Sequence, residues 1–320
     1  MKRDFISIDN FSPAELRETV RLAARLKKTR KTPLEIRPLV GRSMAMIFEK
    51  PSLRTRVTFE LAIVELGGHA LEINASSVKL GERESVPDVG HNLERWVDVV
   101  TARVFRNETV QLLSNSMQVP VINALCDVEH PCQAVADILT VKELSPGKFP
   151  NVSLTYVGDG NNVCHSLMLI CGALGVDLRV STPEGYEPEK HFIERALVLA
   201  GESGGSFSLY NDPVKAVEGT GFVYTDVWAS MGQEEETEKR HEIFMSHQVN
   251  SELLSHAAED CYVLHCLPAH RGEEITDEVI DGPRARVFDQ AENRLHAQKA
   301  VILKLLAPDI AAEFAAGEIV

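Results

Sequence analysis

The chain of 320 residues carries a formal net charge of −14, with 44% hydrophobic and 25% charged side chains. This length accommodates two domains of ordinary size, and the composition is that of a globular protein, not a disordered or fibrous one. The acidic surplus argues against a general binder of nucleic acid or anionic membrane, because both partners require broad basic surfaces. Any anion site must therefore be local.

The six cysteines are scattered along the sequence, and no two of them form a CxxC pair. The N-terminal stretch lacks the apolar core of a signal peptide, and no apolar run reaches the length of a membrane span. We therefore expect reduced thiols and a cytoplasmic protein.

The first part of the chain predicts alternating helices and strands. A helix is expected over residues 13–28, because Ser12 and Glu15 form a capping box around a proline at the first helical position. A second helix is expected over residues 52–66, where apolar residues recur at helical spacing before two glycines. The apolar positions of that helix are Leu53, Val57, Leu61 and Val64. Strands are expected over 43–48, 69–74, 98–105 and 119–125, and a third helix over 131–144.

The second part begins after a turn-rich break at residues 145–151. A helix over 162–174 follows a glycine turn, the charged segment 231–240 is expected to be a loop, and a long amphipathic helix is expected over 291–314. Strands are expected over 152–157, 177–183, 222–228, 261–268 and 285–290.

Strands that alternate with helices imply parallel sheets covered on both faces. The sequence therefore predicts an α/β protein with two doubly wound parallel-sheet domains. We expect the first domain at residues 1–147 and the second at 148–290. A C-terminal helix within residues 291–320 is expected to pack back on the first domain.

The stretch FEKPSLRTRVTFE, residues 48–60, places two arginines at a strand-to-helix junction. A phosphate fits the start of this helix, where free N–H groups and the helix dipole favour an anion. Hydroxyls of Ser52 and Thr55 and the planar guanidinium of Arg54 suit phosphate oxygens. The alternative is that Arg54 and Arg56 are solvated or paired with the neighbouring glutamates 49 and 60, and the residues alone leave both interpretations open.

Four further segments contain side chains that suit a binding or catalytic site. They are HPCQ (130–133), GDGNN (158–162), DVWASMG (226–232) and HCLPAHRGEE (265–274). Each lies where an expected strand ends, and open α/β sheets bind their ligands at the carboxyl ends of the strands. The GDGNN turn lacks the third glycine of a dinucleotide-binding fingerprint, because Val163 occupies that place.

These motifs, in this order with ARVF (102–105) and AENR (291–294), resemble those of the transcarbamylases, and most closely the ornithine carbamoyltransferase branch. The resemblance runs from about residue 5 to residue 307. It implies a carbamoyl-phosphate domain, then an amino-acid domain, and a homotrimer or a multiple of trimers with active sites between subunits. The implied reaction transfers the carbamoyl group of carbamoyl phosphate to the δ-amine of L-ornithine, giving L-citrulline and phosphate. That places the protein in arginine metabolism, in biosynthesis or in breakdown.

The resemblance also implies roles for individual residues. Carbamoyl phosphate would be held by Ser52, Leu53 (through its backbone N–H), Arg54, Thr55, Arg103, His130, Gln133, Cys266, Leu267 and Arg294. Ornithine would be held by Asn162, Asp226, Ser230 and Met231. The catalytic groups would be Arg103, His130, Asp226 and Cys266. No cofactor is implied, and no metal is expected because no ligand cluster with zinc spacing appears.

Two positions depart from the family pattern. Leu53 stands where most relatives have threonine, and a backbone contact would survive that change. Lys79 falls where relatives commonly place a glutamine or histidine that reaches the carbamoyl phosphate of a neighbouring subunit.

Three alternatives remain open at this stage. A transcarbamylase could act on another amine, such as putrescine or an N-acylated ornithine, although Asp226 favours a substrate with a free α-amino group. The GDGNN turn suggests a nicotinamide-dependent oxidoreductase, against which the absent glycine weighs. A non-catalytic binding or regulatory subunit would have the same fold, but it would not need Arg54, His130, Asp226 and Cys266 together.

Overall fold

The computed structural model describes residues 2–74, 80–229 and 237–317. The chain divides into two compact units, each of which is described by itself below. The first unit comprises Met1–Leu139 together with Glu292–Val320, and the second comprises Thr140–Ala291. In the described part of the chain, no helix is both long and apolar enough to cross a membrane.

The first unit contains a four-stranded parallel sheet in the order β2-β1-β3-β4. Its strands are β1 (Ser43–Phe48), β2 (His69–Asn74), β3 (Val99–Arg103) and β4 (Val121–Leu125). Along the chain, β2 is placed on one side of β1, and β3 and β4 are then placed on the other side, so the strand order reverses between β1 and β3. The loops that follow these two strands flank this switch point, which is where open sheets bind ligands.

Helices precede, connect and follow these strands in the described part of the chain. They are α1 (Pro13–Thr29), α2 (Leu53–Glu65), α3 (Val86–Leu93), α4 (Asn107–Ser116) and α5 (Pro131–Leu144), preceded by a 3₁₀ turn at Ile8–Asn10. The capping box predicted for α1 is present, with Ser12 and Glu15 each accepting from the other's backbone N–H. The helix boundaries predicted from this local signal are confirmed.

The helix α2 forms where its spacing predicts it, but its apolar stripe lies on the surface. The core-facing side is formed instead by Thr55, Phe59, Ala62 and Ile63. The stripe residues are exposed, at 75% for Leu53, 43% for Val57, 39% for Leu61 and 46% for Val64. Single exposed apolar residues are common, but four on one helical face form a surface that suits contact with another protein.

The second unit contains a five-stranded parallel sheet in the order β7-β6-β5-β8-β9. Its strands are β5 (Ser153–Val157), β6 (Asp177–Ser181), β7 (Ser206–Tyr210), β8 (Phe222–Thr225) and β9 (Tyr262–His265). The order reverses between β5 and β8, so the turns after these strands again flank a switch point. The sequence did not predict the edge strand β7, whose short segment SFSLY is only partly buried.

The helices of the second unit are mostly short, apart from two that pack together beside the sheet. They are α6 (Asn162–Leu174), α7 (Lys190–Ser203), α8 (Pro213–Val217), α9 (Thr237–Phe244), α10 (Ser251–Leu254) and α11 (Asp277–Ile280), with a 3₁₀ turn at Met245–His247. The expected loop at 231–240 is wrong for residues 237–240, because these residues begin α9.

The last part of the chain differs from its prediction in two respects. The strand expected over 285–290 is wrong: Ala285 makes an isolated bridge to Val263, and the helix α12 (Val287–Leu306) begins two residues later. The single helix expected over 291–314 is divided, because a proline opens a separate helix, α13 (Pro308–Ala316). The prediction that the C-terminal helical segment returns to the first unit is confirmed.

Candidate active site

The start of α2 lies just beyond the carboxyl end of β1 in the first unit. Ser52 is the N-cap of this helix, and its Oγ accepts the backbone N–H of Thr55 at 3.3 Å. The remaining N–H groups of the first turn have no acceptor within the helix. They give this end of α2 a partial positive charge that favours an anion.

Two guanidinium groups meet at the hydroxyl of Thr55. Its Oγ1 accepts from Arg294 Nη2 at 2.6 Å and from Arg103 Nη1 at 3.3 Å. The second nitrogen of the same guanidinium, Arg294 Nη1, donates to Gln133 Oε1 at 2.8 Å. All four side chains are buried, so α2, β3, α5 and α12 place two positive charges inside a chain that is acidic overall. The acidic composition allows only a local anion site, and this cluster provides a structural basis for one.

His130 precedes α5 and lies in the same positive field. Burial lowers the pKa of its imidazole well below the usual range, and Arg294, Arg103 and Arg54 lower it further. The ring is consequently neutral at physiological pH, with one nitrogen able to donate and the other able to accept. A neutral imidazole can donate a hydrogen bond to a carbonyl oxygen without adding a fourth cation.

The two arginines of the opening motif have different environments. Arg54 is half-buried at the second position of α2, whereas Arg56 is exposed and forms an ion pair with Glu72 on β2. The carboxylate of Glu49 accepts the backbone N–H of Phe105 at 2.7 Å. Of the two, Arg54 is therefore the one that lies in the charge cluster of the helix start.

In the second unit, a carboxylate lies at the carboxyl end of β8. Asp226 is buried, and its Oδ2 accepts from Asn161 Nδ2 at 2.9 Å while its Oδ1 accepts from the thiol of Cys266 at 2.9 Å. Asn161 is the N-cap of α6, and its Oδ1 accepts the backbone N–H groups of Val163 and Cys164. One asparagine thus fixes both the helix start and the carboxylate.

The strand β9 ends in a tightly held turn next to this carboxylate. Leu267 has a left-handed backbone with φ of 59°, which costs a non-glycine residue about 1 kcal/mol or more. His265 accepts the Leu267 N–H on Nδ1 at 2.8 Å, and its Nε2 lies 3.0 Å from Glu274 Oε1. The buried pair of His265 and Glu274 therefore fixes the backbone that carries Cys266 and Leu267.

Among the residues that the structure describes, two groups of side chains place possible metal-ligand atoms within 4.8 Å of one another. The groups are Asp226 with His265 and Cys266, and His270 with Glu273 and Glu274. Both ring nitrogens of His265 already have partners, and Cys266 donates to Asp226 as a protonated thiol. The first group is thus arranged as a hydrogen-bonded set, not as a set of free ligands.

Two family models match the chain in succession. The model described as aspartate/ornithine carbamoyltransferase, carbamoyl-P binding domain, matches residues 3–143. The model described as aspartate/ornithine carbamoyltransferase, Asp/Orn binding domain, matches residues 150–305. The chain belongs to the aspartate/ornithine carbamoyltransferase family.

Individual relatives agree with this assignment along nearly the whole chain. An ornithine carbamoyltransferase of Pyrococcus horikoshii is 52% identical over 304 residues, covering 95% of this chain and 96% of that protein. One of Pyrococcus furiosus, named as anabolic, is 51% identical over 300 residues, covering 94% and 95%. The solved structure of an ornithine carbamoyltransferase from Pyrococcus furiosus has a TM-score of 0.90 and 49% identity, covering 96% of this chain and 98% of that one. The resemblance inferred from the motifs and the predicted fold class are both confirmed.

The structure brings several of the expected site residues of this carbamoyltransferase family into direct contact. Thr55, Arg103, Gln133 and Arg294 form one hydrogen-bonded set, and Asp226 and Cys266 belong to another. Asn162 is the first residue of α6 and is partly buried next to the N-cap. Three expected residues, Lys79, Ser230 and Met231, lie outside the described residues.

Sequence reasoning missed a buried ion pair at the glycine turn after β5. Arg240 Nη1 donates to Asp159 Oδ2 at 2.9 Å and to the backbone oxygen of Trp228 at 2.8 Å. It also missed Asn161, although an asparagine just before a predicted helix is a recognisable N-cap signal. No comparable signal existed for Arg240, which lies in a charged segment with no apolar periodicity.

Proposed function

We propose that this protein transfers the carbamoyl group of carbamoyl phosphate to the δ-amine of L-ornithine, giving L-citrulline and phosphate. The observation that carries the proposal is the meeting of two buried guanidinium groups at Thr55, at the N-terminus of α2. Positive charge at the positive end of a helix dipole is costly unless an anion joins it. A doubly charged phosphate group supplies that anion.

The phosphate contacts would come from the first turn of α2. The proposed ligands are the Ser52 and Thr55 hydroxyls, the Leu53 N–H and the Arg54 guanidinium. Leu53 can contribute only through its backbone, and its 75% exposed side chain supports this role because the side chain does not compete for the buried space. The replacement of threonine by leucine at this position is thereby compatible with phosphate binding.

The carbonyl oxygen would be polarised by Thr55, Arg103 and His130. The neutral imidazole of His130 suits this role, since it can donate one hydrogen bond to the oxygen as negative charge develops there. Gln133 and Arg294 would hold the carbamoyl group and the phosphate, and Cys266 and Leu267 would complete the site from their own turn. No protein nucleophile is required, because phosphate is already a good leaving group.

Ornithine would be recognised by Asp226, which is rigidly held by Asn161 and Cys266. The carboxylate suits the α-amino group of the amino acid, and Cys266 would help to place the δ-amine. Asn162, Ser230 and Met231 are proposed as further ornithine contacts on the family motif alone.

The proposed reaction begins when the neutral δ-amine attacks the carbonyl carbon and forms a C–N bond. The electrons of the C=O bond move onto oxygen, and the tetrahedral intermediate then expels phosphate by breaking the C–O bond to it. The amine loses one proton, for which the departing phosphate is a suitable acceptor. The protein accelerates these steps by holding both substrates together and by stabilising the developing oxyanion and phosphate.

We also propose a division of the substrates between domains, an oligomeric state, a cellular location and a metabolic role. We assign carbamoyl phosphate to residues 1–147 with the returning segment 291–320, and ornithine to residues 148–290. The proposed assembly is a homotrimer or a multiple of trimers, supported by the exposed apolar stripe on α2, with Lys79 reaching a neighbouring subunit's site. A cytoplasmic location is consistent with six buried cysteines that are present as thiols. A relative named as anabolic supports a role in arginine biosynthesis.

A steady-state assay for citrulline, with carbamoyl phosphate and ornithine as substrates, tests the proposal. Parallel reactions contain putrescine, N-acetylornithine or aspartate in place of ornithine. A preference for ornithine of about 100-fold or more in kcat/KM is expected, because a site built to pair a charged group rejects substrates that lack it. Activity only with an amine other than ornithine would overturn the assignment of ornithine as substrate. Absence of any carbamoyl transfer by the folded protein would overturn the proposed reaction.

A further inference from the structure

One buried carboxylate next to the carbamoyl-phosphate cluster has no role in the function proposed above. Asp137 lies on α5, one helical turn after Gln133, and is completely buried. Its Oδ1 accepts from Gln133 Nε2 at 2.7 Å. On its other side the amide of Gln133 accepts from Arg294 Nη1 on Oε1 at 2.8 Å.

This arrangement permits only one orientation of the Gln133 amide. A guanidinium can only donate hydrogen bonds, and the Asp137 Oδ1 accepts one from Gln133 Nε2. The amide oxygen must therefore face Arg294, and the amide nitrogen must face Asp137. The reverse orientation would place donor against donor and acceptor against acceptor, in a place where water cannot compensate.

The fixed orientation determines which group the site offers to a substrate. Gln133 Oε1 has two lone pairs, and Arg294 uses one of them. The other can accept a hydrogen bond from an N–H group. Carbamoyl phosphate has such a group, whereas acetyl phosphate, which has nearly the same shape and the same phosphate, has a methyl group in its place.

We propose that Asp137 is a specificity-determining positioning residue, which holds Gln133 with its oxygen towards the acyl group and so selects a carbamoyl donor over an acetyl donor. The inference rests on the proposed function, because it requires carbamoyl phosphate at this cluster. In this role Asp137 acts through Gln133 and not by contact with the substrate. The selection arises because the second lone pair of the buried Gln133 oxygen receives a hydrogen bond from the carbamoyl N–H but none from a methyl group.

The test compares ligands that differ only in the acyl group. For the wild-type enzyme and for Asp137→Asn, we would measure the KM of carbamoyl phosphate and the competitive inhibition constants of acetyl phosphate and inorganic phosphate. In the variant, the side-chain amide that replaces the carboxylate can donate or accept, so only Arg294 still favours the native orientation of the Gln133 amide, and the amide is held less firmly. The ratio of the acetyl phosphate constant to the carbamoyl phosphate KM is expected to fall about 10-fold, while the constant for inorganic phosphate changes less than about 3-fold.

A charge-conserving exchange supplies the matched control. In the double variant Gln133→Glu with Asp137→Asn, the carboxylate introduced by the first change is an acceptor on both oxygens, and the amide introduced by the second can donate to it. The selectivity ratio is expected to return towards the wild-type value. The exchange keeps the number of charges and the side-chain volumes, so it also serves if the single variant folds poorly.

Three results with these variants would overturn the proposal. Equal weakening of carbamoyl phosphate, acetyl phosphate and inorganic phosphate in Asp137→Asn would show a purely structural role and overturn it. An unchanged ratio in the single variant, or a ratio that stays low in the double variant, would also overturn it. Failure of the proposed function is distinguishable, because in that case the wild-type enzyme itself transfers no carbamoyl group to ornithine.

Discussion

Arg240 and Asp159 form a buried ion pair that joins the glycine turn after β5 to the helix α9. Their Nη1 and Oδ2 atoms lie 2.9 Å apart, and both side chains are about nine-tenths removed from solvent. The same guanidinium nitrogen donates to the Trp228 backbone, two residues before the segment 230–236. Arg240 follows this segment in the sequence and therefore contacts a residue that precedes it.

Removing this arginine should leave an uncompensated buried carboxylate. We expect Arg240→Ala to destabilise the protein by about 3 kcal/mol, seen as a Tm lower by roughly 6 °C or more. The double variant with Asp159→Asn should recover part of this loss, because the neutral amide needs no counter-charge. Differential scanning calorimetry of both variants measures the effect, and a double variant no more stable than the single one would contradict the ion-pair explanation.

His296 should make stability depend on pH. It lies on α12, fully buried, and neither ring nitrogen has a hydrogen-bond partner among the residues that the structure describes. Burial lowers its pKa to about 3, with further lowering by nearby cations. The charged groups around it are Lys27 on α1, Arg30 at the C-cap of α1, Glu65 on α2, and Glu292 and Lys299 on α12.

The direction of the pH effect follows from the pKa values of His296 in the unfolded and the folded chain. The unfolded chain binds a proton at His296 below about pH 6.5, whereas the folded protein does so only near pH 3, so stability falls as the pH falls through this window. Relative to His296→Leu, the wild type should lose about 2 kcal/mol between pH 7 and pH 5. Urea unfolding at both pH values measures this difference, and parallel pH dependences would refute the explanation.

The two arginines of the opening motif offer a matched comparison. Arg54→Ala should raise the KM of carbamoyl phosphate and lower kcat, each by about 10-fold, because it removes a charge-assisted contact to the departing phosphate. Arg56→Ala removes an exposed ion pair with Glu72, and should change either constant less than about 2-fold. Steady-state kinetics on both variants decides the point, and effects of equal size would contradict the assignment of Arg54, and not Arg56, to the phosphate.

Two cysteines at opposite ends of β9 allow a similar comparison. Cys266→Ala removes the thiol donor to Asp226 and should lower kcat/KM for ornithine by about 10- to 100-fold, whereas Cys266→Ser should restore part of the loss. Cys261 is buried in the core at the start of the strand, so Cys261→Ala should lower stability by about 1 kcal/mol and leave the kinetics unchanged. A kinetic loss in Cys261→Ala as large as that in Cys266→Ala would argue against the specific contact.

The stripe on α2 predicts the effect of surface charge on assembly. Introducing Val57→Glu together with Leu61→Glu should convert a trimer or larger assembly into monomers, because burying two unpaired carboxylates costs several kcal/mol. Leu197→Glu, at another exposed apolar position on α7, serves as the control. Sedimentation velocity gives the masses. A pair of glutamates that leaves the mass unchanged would remove this face from the interface.

The parts of the fold that the sequence predicted correctly have strong local signals. The strand at 43–48 is a short buried apolar run, and α1 has a complete capping box at its start. The errors arise where tertiary context overrides local pattern. The segment 285–290 reads as a strand, but it makes only one bridge before α12 begins, and β7 lies at a sheet edge where polar residues are tolerated.

In the candidate site, too, the predicted residues have a local sequence signal, and residues without one were missed. Motifs identified residues such as Thr55 and Asp226 because each follows a strand and begins or precedes a turn. Supporting residues such as Asp137, which holds Gln133, and Arg240, which pairs with Asp159, are recognised only from hydrogen bonds to groups that the fold brings close. Neither position has a distinctive local pattern, so sequence reasoning had no basis for choosing either.

The surface position of the apolar stripe on α2 has a consequence for the enzyme in dilute solution. In the proposed assembly, the first turn of α2 contacts the phosphate while the outer face of the same helix contacts a neighbouring subunit. Binding of carbamoyl phosphate and association of subunits would then be thermodynamically linked. If carbamoyl phosphate raises the affinity of the subunits for one another by some factor, association raises the affinity for carbamoyl phosphate by the same factor. Specific activity should therefore depend on enzyme concentration, and substrate should protect the enzyme against loss of activity on dilution.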